Sequence, residues 1–382
     1  MTGVLITGAN SIKALIAIRS LGKKGIPVYT ADSINRALGS FSKYSKRFYT
    51  CPQPATDLSI FISVLQSTLK KNRCEVLIPV HSADTYVIAK YKSRFEPFAK
   101  VPLHDYTILA NVNNKGYLMK VADELGFPIP RTYFVESFNE LKTVSETITY
   151  PAVIKLRESS SSIGLSYVHS KDELISKFKA TTERFRLSSS NYPIIQEYIV
   201  GDGYGVSLLF NKGDPRAIFT HKRIREYPIT GGPSSFRVSV KQPEMEKIAV
   251  DLLKHFNWHG VAMVEFKLTP ERKPVIMEVN PRFWGSLNQA ILAGVDFPYM
   301  LYTMAVEGDV KPVFNYKLGI ESRNAFIDTV ALLKTMRKTG NVHLLKNLMR
   351  VPRNDDILSL DDPLPAISFL GRGIRELFYD KR

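Results

Sequence analysis

The 382-residue sequence predicts an α/β fold, then an α+β fold, then a mostly helical tail. Three observations carry this expectation. Residues 1–110 alternate apolar strand-like runs with amphipathic helical runs, the rhythm of a parallel sheet with crossover helices. Residues 111–310 set several strand-like runs in succession, as antiparallel pairing requires. Residues 311–382 return to helical periodicity, interrupted by a loop rich in Asp and Pro.

In chain order, "GVLITG" reads as a strand, "SIKALIAIRSLGKKG" as a helix and "IPVYTAD" as a strand. "ATDLSIFISVLQSTLKKN" is a helix, "CEVLIPV" a strand, and a further helix starts at Ser82. The "GAN" turn after the first strand opens a helix, a place where an anion can bind. It is not G-x-G-x-x-G, so the case for a dinucleotide is weak. Asp32, after the second strand, suits either a ribose or a helix start. From Asn111 the pattern changes. "NNKGYLMKVADELGFPIPRTYFV" is a helix closed by Gly126 and followed by a Pro-bounded strand. "YPAVIKL", "LSYVHS", "YPIIQEYIV", "GDGYGVSLLF" and "PRAIFTHKRI" are strands, with the polar helix "KDELISKFKATTERF" among them. The amphipathic helix "EMEKIAVDLLKHFN" precedes two last strands, "GVAMVEFKL" and "KPVIMEVN". This second section is expected to need a core of its own. In the tail, Ile367, Leu370, Ile374, Leu377 and Phe378 share one helical face, and the other face is basic; such a helix rests on an anionic membrane or, in the commoner case, docks on its own protein.

Composition narrows the class. No apolar run reaches the ~18 residues of a membrane-spanning helix, and the N-terminus reads as a first strand rather than a signal peptide. Cys51 and Cys74 make neither a disulfide framework nor a metal site, which suits a reducing cytoplasm. The formal charge of +16 invites anionic partners. It is spread along the chain without a nucleic-acid recognition module, so no nucleic acid is expected and a phosphate site is favoured.

The chemistry gathers on the two last strands. A hairpin centred between Glu271 and Arg272 sets Glu265 opposite Glu278. Period-two alternation turns Glu278 and Asn280 to the same face. Like charges facing each other in apolar surroundings destabilise a sheet, so something positive must lie between them. Two carboxylates and an amide oxygen suit Mg²⁺, which completes its shell with water and phosphate oxygens. A plain salt bridge to Arg282, Arg272 or Lys267 is the alternative. Three further features belong with this pair. Lys155 ends a strand and leads into "RESSSSIG", whose backbone and hydroxyl donors can close over phosphates. Lys115 starts a helix, while Lys222, Arg223 and Arg225 form a cationic run in which Arg223 and Arg225 share a strand face. "IIQEYIV" offers an apolar slot for an adenine, with Glu197 placed to accept from its amine.

The order of these parts is a lysine before a helix, strand–Lys–small-residue loop, "QEYI", "VEFK" and "MEVNPR". It resembles the ATP-grasp superfamily, in its carbamoyl-phosphate-synthetase-like, carboxylate–amine ligase branch. The likeness covers about residues 1 to 305. It implies a Rossmann-like domain over 1–110, a two-lobed ATP-grasp domain over 111–310 and a helical extension over 311–382. The lid would span about 130–198, and the catalytic lobe about 111–129 and 199–310.

Carried over by position, the resemblance implies that Lys115 and Lys155 touch ATP phosphates, covered by Ser159, Ser160, Ser161, Ser162 and Gly164. Gln196, Glu197, Tyr198 and Ile199 would form the adenine hinge. Asp202 or Tyr204 would stand in for the usual ribose-binding acid. Glu265, Glu278 and Asn280 would bind two Mg²⁺ ions, with Mn²⁺ as an alternative. Arg282 would hold the transferring phosphoryl group, and the Lys222–Arg223–Arg225 run would face phosphate and substrate.

The activity implied is an ATP-dependent ligase joining a small carboxylate to an amine through an acyl-phosphate, in the cytoplasm. Alternatives are carbamoyl-phosphate-type chemistry on bicarbonate, a non-catalytic nucleotide-binding protein and, more distantly, an oxidoreductase. A homodimer and contact of the basic C-terminal helix with an anionic membrane are the further partners considered.

Overall fold

The computed structural model describes residues 2–159, 163–227, 232–340 and 354–379. The chain opens with β1 (Gly3–Thr7), α1 (Ile12–Lys23), β2 (Val28–Asp32), β3 (Ser45–Thr50), α2 (Leu58–Asn72), β4 (Cys74–Pro79) and α3 (Ser82–Lys90). These strands form a four-stranded sheet in the order β3-β2-β1-β4, with every pair parallel. Caps fix the helix starts: Ser11 accepts from the Ala14 amide, and Asp57 from that of Ile60. Within this sheet β3 is the strand that carries no sequence signal. Its "SKRFYT" is polar and largely exposed because it forms the sheet edge. Asp32 accepts from the Asn10 and Ile34 amides, so it ties the β1 and β2 loops together.

Next come α4 (Tyr106–Asn113), α5 (Lys115–Glu124), β5 (Thr132–Tyr133), α6 (Phe138–Thr147), β6 (Ala152–Lys155), β7 (Ser166–Val168), α7 (Lys171–Arg184) and β8 (Ile194–Glu197). The strands make an antiparallel sheet, β5-β8-β6-β7, packed by α6 and α7 around Leu141, Ile154, Phe178 and Ile195. The rest is β9 (Asp202–Asn211), β10 (Asp214–Glu226), β11 (Ser234–Ser239), α8 (Pro243–His255), β12 (Gly260–Leu268), β13 (Pro274–Asn280), α9 (Leu287–Leu292), α10 (Phe297–Glu307), β14 (Glu321–Arg323), α11 (Ala325–Thr339) and α12 (Leu364–Tyr379). Its sheet has the order β13-β12-β9-β10-β11-β14 and is antiparallel throughout.

The packing differs from the expected separate cores. β1 alternates: Leu5 joins one cluster with Phe210, Phe266 and Ile276, while Val4 and Ile6 join another with Phe283, Trp284 and Phe297. The N-terminal and six-stranded sheets therefore share both of their cores, and the β5–β8 unit holds its own. The tail is also more than helical. β14 extends the six-stranded sheet, and the Asp-rich segment after it is stitched down by buried cations. Asp356 pairs with Arg237, and Asp362 accepts from Arg19 at 2.9 Å and from Ser42 at 2.7 Å.

Candidate active site

A cleft of about 560 Å³ runs between the three sheets. Its floor is the β12–β13 hairpin. Glu265 faces Glu278 and Met263 faces Asn280, as the sequence-derived register requires; a bulge then shifts pairing by one residue toward the turn. Both Oε1 atoms converge on one donor, Asn280 Nδ2, at 2.9 Å from Glu265 and 3.4 Å from Glu278. Each outer oxygen has a cation. Arg223 pairs with Glu265 and, at 3.2 Å, with Glu226; Lys115 Nζ lies 3.1 Å from Glu278. The neutralising partners are thus Arg223 and Lys115, brought in by β10 and α5, rather than Arg282, Arg272 or Lys267.

Electrostatics follow from these pairs. Burial pushes Glu265 above the usual carboxylate range, and Arg223 only partly offsets this. Burial acts on Glu278 too, but Lys115, Lys155 and Arg223 outweigh it and hold the group low. Lys155 closes β6, forms no ion pair among the described residues and is pushed down to about 8, mainly by burial. A divalent cation fits this floor because two carboxylate oxygens share one weak amide donor. Turning the Asn280 amide exchanges that donor for an oxygen and gives three hard oxygen ligands. Among the described residues no group of three or more His, Cys, Asp or Glu forms, so such an ion would lean on phosphate and water.

The remaining expected residues divide. Glu197, Tyr198 and Ile199 line the cleft where β8 ends. The Glu197 carboxylate accepts from the Arg131 amide at 2.8 Å. Lys267 donates to the Ile199 carbonyl at 2.8 Å and sits over the Tyr198 ring. Ser159 lines the cleft, and its carbonyl accepts from Lys115 at 3.0 Å. Ser160, Ser161 and Ser162 lie outside the described residues. Gly164 has φ +70°, and a Cβ there would meet Leu156 at 2.5 Å, so the loop returns only through glycine. Gln196 is buried and donates to Thr132 rather than facing the cleft. Tyr204 is buried in the core, and Lys222 pairs with Asp202 at 2.5 Å.

Arg223 and Arg225 do not share a face. A bulge between them sends Arg223 into the cleft and Arg225 to the buried Asp328 on α11, at 2.6 Å. Arg282 lines the cleft and donates to Ser82 at 2.7 Å. Lys13, His81 and Ser82 also line it and were not foreseen. The "GAN" turn pointed to that wall without naming its lysine.

Comparison with known proteins bears on the fold and on residues 112–286. A family model described as an ATP-grasp domain matches residues 112–286. A formate-dependent phosphoribosylglycinamide formyltransferase from Wolinella succinogenes is 28% identical over 176 residues, 45% of this chain and 44% of that protein. The chain spans about half the length of the curated relatives it matches. Among solved structures, N5-carboxyaminoimidazole synthetase from Staphylococcus aureus complexed with ADP superposes with a TM-score of 0.67 at 15% identity. That match covers 88% of this chain and 86% of that one. The biotin carboxylase domain dimer of 2-oxoglutarate carboxylase from Hydrogenobacter thermophilus, with MgADP and bicarbonate, gives 0.67 at 13% identity, covering 84% and 73%. Residues 112–286 match the ATP-grasp domain, and the chain shares the fold of these solved structures over most of its length.

Proposed function

We propose that the protein is an ATP-dependent carboxylate–amine ligase. The observation that carries this reading is the Glu265–Glu278–Asn280 floor, ringed by Lys115, Lys155, Arg223 and Arg282 in one cleft. We divide the chain into an N-terminal domain over 1–110, the grasp domain over 111–310 with its lid at about 130–198, and an extension over 311–382. In this reading Glu197, Tyr198 and Ile199 seat the adenine. Lys115, Lys155 and the Ser159–Gly164 loop hold the phosphates. Glu265, Glu278 and Asn280 would hold two Mg²⁺ ions, or Mn²⁺. When bound, the metal would screen the phosphate charges and polarise the bond to the transferring group.

The chain's own residues do the rest. Lys155 and Lys115 fix the triphosphate, and Arg282 stabilises charge on the group passed to the substrate carboxylate. The loop and lid exclude water from the acyl-phosphate until an amine displaces phosphate. No protein nucleophile is needed. The test is release of ADP and phosphate from Mg-ATP across paired carboxylates and amines. A panel that binds ATP without any turnover would favour a non-catalytic nucleotide-binding protein. Bicarbonate-dependent turnover without an organic acid would favour the second reading, which rests on the bicarbonate held by the 2-oxoglutarate carboxylase domain.

Lys155 makes this reading pH-sensitive. Its amine carries charge below about pH 8 and loses it above, so ATP affinity should fall as pH rises through that value. Binding near pH 9 should then take up a proton, read as a buffer-dependent heat in calorimetry. An affinity flat from pH 7 to about 9.5 would count against Lys155 as a phosphate ligand. The ligand-free fold should show the opposite trend. Between about 8 and the ordinary lysine value the unfolded chain binds more protons, so this group adds stability as pH rises.

A peripheral membrane contact extends the proposal. Leu358, Leu360, Leu364, Ile367 and Leu370 are exposed on the C-terminal segment. Residues 329–354 carry Lys334, Arg337, Lys338, Lys346, Arg350 and Arg353 with no acid. Among the described residues no helix is long and apolar enough to cross a membrane. The protein should float with phosphatidylserine-rich vesicles at low salt and detach as salt rises; failure to float removes the contact. A homodimer is checked by sedimentation in the same preparation.

A further inference from the structure

One wall of the cleft comes from the N-terminal sheet and has no role in the assignment above. The loops after β1 and β4 press together there. Gly8 has φ +69°, and a Cβ on it would lie 2.8 Å from His81 Cβ and 2.9 Å from the His81 nitrogen. This close approach sets the N-termini of α1 and α3 side by side on the cleft. The α3 end has no side-chain cap. Its first-turn amides and the field of both helices favour an anion.

Two cations face the same space. Lys13 Nζ donates to the Phe283 carbonyl at 3.3 Å, and Arg282 donates to that same oxygen at 3.0 Å. Among the described residues neither makes an ion pair, in contrast to Lys115 and Arg223 on the cleft floor. The nearby acid, Asp84, is pushed up to about 6 by burial and attracts Lys13 from a distance, but among the described residues the two form no ion pair. Burial and then Arg282 press the Lys13 amine well below its ordinary value. Two recessed like charges sharing one neutral oxygen are electrostatically incomplete. One monoanionic carboxylate beside Arg282 would leave Lys13 unmatched.

Resting on the ligase reading, we propose that Lys13 and the N-termini of α1 and α3 bind a second anionic group of the acid substrate. The substrate class is therefore an acid with two anionic groups, carrying either another carboxylate or a phosphate monoester beside the carboxylate that is activated.

The test is equilibrium binding to the full chain at fixed ionic strength, without nucleotide. The probes are acetate, succinate and 2-phosphoglycolate. Succinate or 2-phosphoglycolate should bind at least about tenfold more tightly than acetate, the scale of one charge-assisted contact. The tighter of the two identifies the second group. Lys13→Met should erase the preference and Lys13→Arg should retain it. Unchanged Mg-ATP affinity of Lys13→Met reports an intact fold. Equal or absent binding of the three probes, or a preference surviving in Lys13→Met, overturns the proposal. Failure of the wild-type protein to bind Mg-ATP would instead sink the ligase reading, and the probe result would still stand by itself.

Discussion

Glu278→Gln is expected to cut Mg-ATP-dependent ADP and phosphate release by at least about 100-fold, the scale of losing one preorganised charge contact at a reacting centre. The amide is nearly isosteric, so the β12–β13 register and Asn280 should stay in place. What is lost is one of the two convergent oxygens and the charge that Lys115 faces at 3.1 Å. Affinity for Mg-ATP should fall as well, because the metal would lose a charged oxygen ligand. Product release is measured against a melting curve of the same protein. Turnover equal to wild type, with the fold intact, would remove Glu278 from the metal site.

The second large effect is one of stability. Asp356→Ala should cost about 3–5 kcal/mol, the range for removing one partner of a buried ion pair. Arg237 and Asp356 are both almost wholly buried, so the guanidinium would be left in the core with its counter-ion gone. The same segment is held at Asp362 by Arg19, Ser42 and the Lys43 amide. Loosening one end should also weaken this second anchor. Urea unfolding, followed by the buried Trp258 and Trp284, reads the loss. Adding Arg237→Met to Asp356→Ala should recover part of it. A single variant within about 0.5 kcal/mol of wild type would mean that the pair contributes no net stability.

The hairpin that makes the floor was legible because period-two alternation and a short turn fix which side chains face each other. Glu265 opposite Glu278 follows from those two facts alone. The cations that answer the pair were not legible. Lys115 reaches Glu278 from a helix more than a hundred residues earlier, and Arg223 is turned inward by a bulge that alternation does not announce. The same bulge separates Arg225 from Arg223, and the partner that claims it, Asp328, sits in the tail. β3 and β14 escaped for a related reason: polar edge strands carry no apolar period. Helix starts fared better: α1 begins one residue inside the run read from Ser11, and α5 opens at Lys115 as read.

The shared packing of β1 bears on how this protein can change its specificity. Leu5 points into one common core, and Val4 and Ile6 into the other, so the sheet that carries Lys13 and His81 is not a detachable cassette. Grafting the first hundred residues of a relative onto this chain would replace half of each core at once. Under the proposed ligase reading, new acids would enter through single changes on the cleft wall, at the loops after β1 and β4, where Lys13, His81 and Ser82 line the cleft and the scaffold behind them stays whole. Divergence of this protein from its relatives should therefore run through point substitution at those loops, with the β5–β8 unit, built around its own core, as the piece that can be exchanged.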